Sequence, residues 1–254
     1  MTVAAIADVP CPRRVSTEDR WEAFQRALPP RGCELEVSIL FADTRGSTAL
    51  AERLSPTAFS ELMRGFYSLA GQAIADHGGV VEKLVGDGVV ALFIPGVAGS
   101  DHARRAIDAA HALLGAMDRD ADGTPRPPAG VAVHTGRVWL GVIPGPHGRR
   151  DLTALGDAVN VAAHLCAAAA PGEVAVSEAS SRASGQAVAV ETSRLLRLKR
   201  RRAQIAARFY VPRRSRQSLF RAPVVGSKSL RYSPYPSSSS FSTGMNRSAA
   251  ELMQ

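Results

Sequence analysis

Lysine is almost missing from this chain. Three occur among 254 residues, Lys83, Lys199 and Lys228, against twenty-eight arginines. Cysteine is equally scarce. Cys11, Cys33 and Cys166 are odd in number and widely spaced, which argues against a disulfide framework and a CxxC metal site and fits a reducing compartment. No run of about 18 apolar residues is present, so no transmembrane helix is expected. The opening MTVAAIADVPCPRR lacks a basic segment ahead of its short apolar stretch and does not read as a secretory signal. These absences predict a cytoplasmic protein.

Acidic residues are missing from one end only. The net charge of +8 conceals a segment, 194–254, with a single acid, Glu251, and a charge of +13, while residues 1–193 carry −5. A basic tail can touch nucleic acid or anionic lipid. It has few aromatics to stack on bases and no recognised nucleic-acid motif, so a solvated Arg-biased extension is the favoured reading. Beyond residue 213 serine and arginine dominate, and disorder is expected over 213–254.

The rest reads as one mixed domain. Residues 1–33 hold a short helix around Ser16–Leu28, with Ser16 or Thr17 as its N-cap. EVSILFA, 36–42, reads as a buried strand. A helical stretch follows, with Pro56 suited to a first turn and Gly78-Gly79 as its stop. VVEKLV-GDG-VVALFI is a hairpin pattern. A helix is expected over 101–117, two strands over 131–143 around Thr135-Gly136, an Ala-rich helix over 156–170 and a strand at 173–177. Hairpins without strict βαβ alternation predict an α+β sandwich, with helices packed on one face of a mostly antiparallel sheet.

Three segments carry residues suited to chemistry. In FADTRGST, Asp43 stands where a buried strand ends, a place for an N-cap or a cation ligand. In EKLVGDGVVALF, Asp87 stands at the hairpin tip. Lys83, the only lysine in the first 198 residues, is expected on one strand face with Val81 and Val85, where an ammonium must snorkel or meet a partner. In DLTALGDAVNVAAHL, Thr153 leads into a helix on which Asn160 and His164 lie four apart.

In this order and spacing, the three segments resemble the class III adenylate and guanylate cyclases, over roughly residues 36–180. HTGRVWLGVIPG and PGEVAVSEAS look like that family's late strands, and PPRGCELEVSILFADTRGSTALAERLSP resembles its bacterial stand-alone members. The resemblance implies a ferredoxin-like cyclase domain over 34–212 that works as a homodimer with active sites at the interface. It also implies an adenylate cyclase that makes 3′,5′-cyclic AMP and pyrophosphate from ATP. Asp43 and Asp87 fall on the positions that hold two Mg²⁺ or Mn²⁺ ions, with the Thr44 carbonyl as a further ligand. Lys83 and Thr153 fall on the base-recognition pair and imply ATP over GTP. Asn160 falls on the ribose-orienting asparagine, and Lys199 is a candidate for gripping the triphosphate.

One position departs from the pattern. Where the family has a transition-state arginine, four residues after the asparagine, this chain has His164. An arginine supplied to a phosphoryl-transfer site is worth about 10³–10⁵ in rate in GTPases, so slow turnover is expected. The alternative is a weakened cyclase-like module that binds ATP or dimerises. Protonation of His164, or Arg149 or Arg150 nearby, would restore the missing charge. A milder departure is the run Lys199–Arg202 after Leu198, where a Gly-containing turn is expected.

Overall fold

The structure is a computed structural model that describes residues 16–117, 126–144, 150–185, 192–197 and 204–212. Lys199, Arg149, the Lys199–Arg202 run and the tail 213–254 lie outside the described residues. So do the side chain of Arg150 and most of the 118–130 and 144–150 loops.

Helix α1 spans Thr17–Ala27. It starts where expected, at Ser16, because the Ser16 hydroxyl accepts from Asp19 N and the Asp19 carboxylate accepts from Ser16 N. Phe24 is buried against the domain, and Arg20 donates to Val97 O at 3.0 Å, so this helix packs on the sheet layer instead of standing apart.

Strand β1, Cys33–Thr44, is longer than its apolar run suggests. A short helix α2 (Ser47–Arg53) and a long helix α3 (Pro56–Asp76) follow, the latter with Ser55 as N-cap and Pro56 in its first turn. The hairpin is β2 (Val80–Val85) and β3 (Gly88–Phe93). Then come α4 (Pro95–Ala98), α5 (His102–Ala116), β4 (Ala129–Pro144), β5 (Arg150–Leu155), α6 (Asp157–Ala168), β6 (Val174–Ser177), α7 (Glu178–Ser184), β7 (Thr192–Arg197) and β8 (Gln204–Tyr210).

The eight strands form one sheet in the order β2-β3-β1-β4-β6-β8-β7, with β5 beside β4. Only β4 and β6 run parallel among the described pairs. The expected α+β sandwich with a mostly antiparallel sheet is what forms. Helices α3 and α5 cover one face, where Leu40, Ala42, Phe66, Ile74, Ala91 and Leu113 meet. The one-faced arrangement has an addition: α6 and α1 lie on the opposite face, against Val37, Ile39, Val90, Val138 and Ala154. Strands β1 and β3 are therefore covered on both sides, which is why they read as unbroken apolar runs.

Residues 131–143 are not two strands. β4 is one strand of sixteen residues, paired with β1 from Ala129 to Leu140. Its other edge is shared, Val131–Val133 pairing with β6 and Trp139–Pro144 with β5. Gly136 marks a close approach and not a turn: a Cβ there would lie 2.9 Å from Ala158 Cβ on α6.

A chain of buried hydroxyls crosses the interior. Ser38 Oγ bonds His102 Nδ1 at 2.9 Å and Thr135 Oγ1 at 2.7 Å. Thr135 bonds Ser180 at 3.0 Å, Ser180 is 3.1 Å from Ser177, and Ser177 is 2.9 Å from His134 Nδ1.

Candidate active site

Two clusters form at the sheet's β2–β3–β1 edge and over its α6 face. The first is built on the end of β1. Asp43 pairs in register with Gly88 of β3 and Gly130 of β4, so its carboxylate leaves the sheet where the hairpin turns. Asp87 occupies that turn. Gly86, at φ 59°, supplies the left-handed backbone the turn needs, and Tyr67 of α3 donates its hydroxyl to Gly86 O. Thr44 N donates to Asp87 O at 3.3 Å, and the Ser47 hydroxyl donates to Asp87 Oδ2. Burial, and next the negative charge of Asp87, push the Asp43 carboxyl above its ordinary value, while Arg45 pulls it down. Two carboxylates with one compensating guanidinium leave this corner of the site with an excess of negative charge.

Arg45 is the member the sequence reasoning missed. Its guanidinium pairs with Asp43 Oδ2 and donates to the carbonyls of Cys166 and Ala169 at the end of α6, the latter at 3.2 Å. It ties the carboxylate site to the helix that carries Asn160 and His164. Room for it comes from Gly130, where a Cβ would lie 2.9 Å from Arg45 Cζ and Nε.

The second cluster corrects the expected face of Lys83. The β2–β3 register shifts between Val81 and Lys83, so Val81 opposes Ala91 while Lys83 opposes Val90. Ala91 and Val90 belong to opposite faces of β3. Lys83 therefore does not share a face with Val81. The bulge turns it toward β5, where Lys83 Nζ donates to Thr153 Oγ1 at 3.2 Å. The bulged residue, Glu82, is the second one missed. Its side chain is 2% exposed, against 45% for Lys83. Glu82 Oε1 lies 3.0 Å from Lys83 Nζ and accepts from Thr153 Oγ1 at 2.5 Å and from Ala154 N at 3.1 Å. Glu82 Oε2 is buried with no hydrogen-bond partner among the described residues.

Asn160 and His164 stand one turn apart on the exposed side of α6, and neither has a hydrogen-bond partner among the described residues. Val161, Ala162, Leu165 and Cys166, on the other side, hold the helix against the sheet. The structure thus brings together Asp43, Thr44 and Asp87, and separately Lys83 and Thr153.

The oxygen-only donor set of Asp43 and Asp87 suits a hard divalent cation. Among the described residues no group of three or more His, Cys, Asp or Glu gathers as a closed metal cage. Mg²⁺ is commonly held by one or two carboxylates while water and substrate phosphates complete the shell.

The profile of the adenylate and guanylate cyclase catalytic domain family matches residues 33–205. The chain belongs to this family. An adenylate cyclase of Anabaena cylindrica is 32% identical over 170 residues, which cover 57% of this chain and 33% of that protein. The terminal-differentiation adenylate cyclase of Dictyostelium discoideum is 30% identical over 155 residues, covering 55% of this chain and 7% of that one. The chain thus spans a third or less of these relatives. Among solved structures, the adenylyl cyclase CyaB from P. aeruginosa superposes with a TM-score of 0.62 at 25% identity, covering 72% of this chain and 97% of CyaB. The guanylyl cyclase Cya2 superposes at 0.65 and 24% identity, covering 70% and 92%, and shares the fold. Cyclases named for either nucleotide are therefore among the neighbours of this cyclase domain. No helix among the described residues is long and apolar enough to cross a membrane.

Proposed function

We propose that this cyclase domain, over 34–212 and flanked by segments 1–33 and 213–254, converts ATP to 3′,5′-cyclic AMP and pyrophosphate. The observation that carries the adenine reading is the 3.2 Å contact between Lys83 Nζ and Thr153 Oγ1. An ammonium offers a donor to adenine N1, and the threonine oxygen offers an acceptor to the 6-amino group. Guanine presents the opposite order of groups on that edge.

In the reaction the ribose 3′-oxygen bonds to the α-phosphorus, the bond to the pyrophosphate oxygen breaks, and the hydroxyl proton is lost. Two Mg²⁺ or Mn²⁺ ions, when bound, lower the pKa of that hydroxyl and neutralise the phosphates. Asp43 and Asp87, with the Thr44 carbonyl, would hold them. Ser47 orients Asp87, and Arg45 orients Asp43. Asn160 positions the ribose from the exposed side of α6, with His164 one turn further on in the place of the family's transition-state arginine. Lys199 remains the candidate for the triphosphate.

Two copies complete a site in this reading: one supplies Asp43 and Asp87, the other Lys83 and Thr153. The exposed apolar side chains of Leu84, Val85 and Leu155, neighbours of Lys83 and Thr153 in the chain, support burial against a second subunit.

A second reading, an ATP-binding or dimerisation module of little turnover, is favoured by histidine at position 164. Cyclic AMP production from Mn²⁺·ATP separates them. Activity in the wild type that disappears in Asp87→Ala supports the enzyme. A silent wild type revived by His164→Arg supports the module, and no nucleotide binding at all refutes the enzyme and an ATP-binding module alike, leaving only a dimerisation role.

A further inference from the structure

We infer that Glu82 is a specificity-positioning residue, which fixes the Thr153 hydroxyl as an acceptor and thereby makes a Lys–Thr pair selective for adenine. The inference rests on the adenylate cyclase reading and deepens it.

A threonine hydroxyl is ambivalent. It can accept from the 6-amino group of adenine or donate to the 6-oxo group of guanine, so threonine beside a lysine does not by itself choose a base. At Thr153 the choice is removed by its neighbours. A carboxylate only accepts, so the single hydroxyl proton points at Glu82 Oε1, 2.5 Å away. An ammonium only donates, so Lys83 Nζ at 3.2 Å takes one lone pair of the same oxygen. What is left on Thr153 is the second lone pair. What is left on Lys83, after its contacts with Thr153 and with Glu82 Oε1 at 3.0 Å, is one N–H. The pair therefore shows the base one donor and one acceptor, the complement of adenine N1 and its amino group.

Three further observations hold Glu82 in this task. The bulge between Val81 and Lys83 places Glu82 out of the strand's alternation, toward β5 and away from solvent. Ala154 N donates to the same Oε1 at 3.1 Å, locking the carboxylate to the backbone next to Thr153. Oε2 has no hydrogen-bond partner among the described residues, so the polar contacts of this carboxylate all run through Oε1. An orphaned buried oxygen is costly, and its presence beside a recognition pair asks for such a compensation.

The test compares wild type, Glu82→Gln, Thr153→Val and the double variant, as full chains with Mn²⁺. Affinities for non-cyclisable ATP and GTP analogues are measured by calorimetry, and kcat/KM for both nucleotides where turnover allows. Glutamine keeps the shape of Glu82 but can donate to Thr153, freeing its proton for a 6-oxo group. The expected result is an ATP preference in the wild type and an ATP:GTP ratio about tenfold smaller in Glu82→Gln, the scale of one hydrogen bond reversed. In the Thr153→Val background the same change leaves the ratio where Thr153→Val alone sets it. An ATP-preferring wild type with an unchanged ratio in Glu82→Gln overturns the inference and leaves the adenine reading standing. So does a Glu82→Gln that weakens both nucleotides equally, or a double variant whose two effects simply add. A wild type without preference for ATP overturns the adenine reading and the inference together.

Discussion

Gly130→Ala is a one-carbon change that should act on a side chain it does not adjoin in sequence. Its methyl would lie 2.9 Å from Cζ and Nε of Arg45, too close for the guanidinium to stay. The Arg45 side chain is flexible, so it moves aside instead of forcing the strands apart. Moving costs its bonds to Asp43 Oδ2 and to the Cys166 and Ala169 carbonyls, and leaves Asp43 beside Asp87 without its counter-charge. Hydrogen bonds to charged groups contribute about 1.5–3 kcal/mol each, and the displaced groups regain part of this from water. A net loss of about 2–4 kcal/mol follows. At about 2–4 °C per kcal/mol for a domain of this size, thermal unfolding should begin roughly 5–15 °C lower. Circular dichroism melts at pH 7 measure this, run beside Arg45→Ala and the double variant. Once Arg45 is absent the three nearest atoms to that methyl are gone, so Gly130→Ala should cost much less in that background. An equal cost in both backgrounds would refute the reasoning, because the clash would then lie elsewhere. A silent single variant would refute the magnitude.

The remaining predictions concern packing and pH. Gly136→Ala sets a methyl 2.9 Å from Ala158 Cβ and should cost about 1–3 kcal/mol by overpacking, read from urea midpoints. Ala158→Gly should recover part of it, and strict additivity would count against the close approach. Burial pushes the Cys166 thiol up to about 11. The fold therefore favours the neutral thiol, and its stabilisation, present below about pH 9, should fade as pH rises through 11. The ceiling is roughly 3 kcal/mol, and Cys166→Ala should flatten this alkaline limb. Burial pushes His102 and His111 below the ordinary imidazole value. Unfolded chains then bind protons first, so stability should fall as pH drops below about 6.5. An acid limb unchanged in His102→Asn and His111→Asn would assign the loss to other groups.

How much of this was legible varied with how local the cause was. The Ser16 cap, the Pro56 start and the Gly86-Asp87 turn are written in single residues, and the structure follows them. The sandwich followed from hairpins without strict βαβ alternation. β4 was misread as two strands because a glycine beside a threonine looks like a turn. Its real cause, the methyl of Ala158, sits on a helix more than twenty residues later. The face of Lys83 was misread because a bulge leaves no trace in an alternation pattern, and Glu82 was hidden with it. Arg45 went unremarked within FADTRGST, since arginine after a strand looks like a solvated end. Asp43 and the carbonyls at the end of α6 are its partners, in the room that Gly130 on β4 leaves. His164 is the reverse case, a departure visible in sequence whose exposed position adds only that nothing within the described chain holds it.

The hydroxyls threaded between His102 and His134 bear on how the chain finds its alignment. β1 and β4 carry apolar side chains toward both layers, so sliding one past the other by two residues would still present oil to oil on each side. Hydrophobicity alone therefore leaves the right and the slipped sheets close in energy. Ser38 stands directly opposite Thr135 in the native pairing. A slide one way sets Ser38 opposite Val133 and Thr135 opposite Glu36, and the other way Ser38 opposite Arg137 and Thr135 opposite Leu40, so in either case the Ser38–Thr135 bond is lost and the hydroxyl chain from His102 to Ser180 is broken. At about 1–3 kcal/mol for each stranded polar group, the wrong alignments pay a penalty the native one escapes. The wet thread in a dry interior acts as a combination lock. A Ser38→Ala/Thr135→Val chain should refold to a mixture of alignments, seen as doubled amide resonances from β1, and a single clean set of resonances would show that the lock is idle.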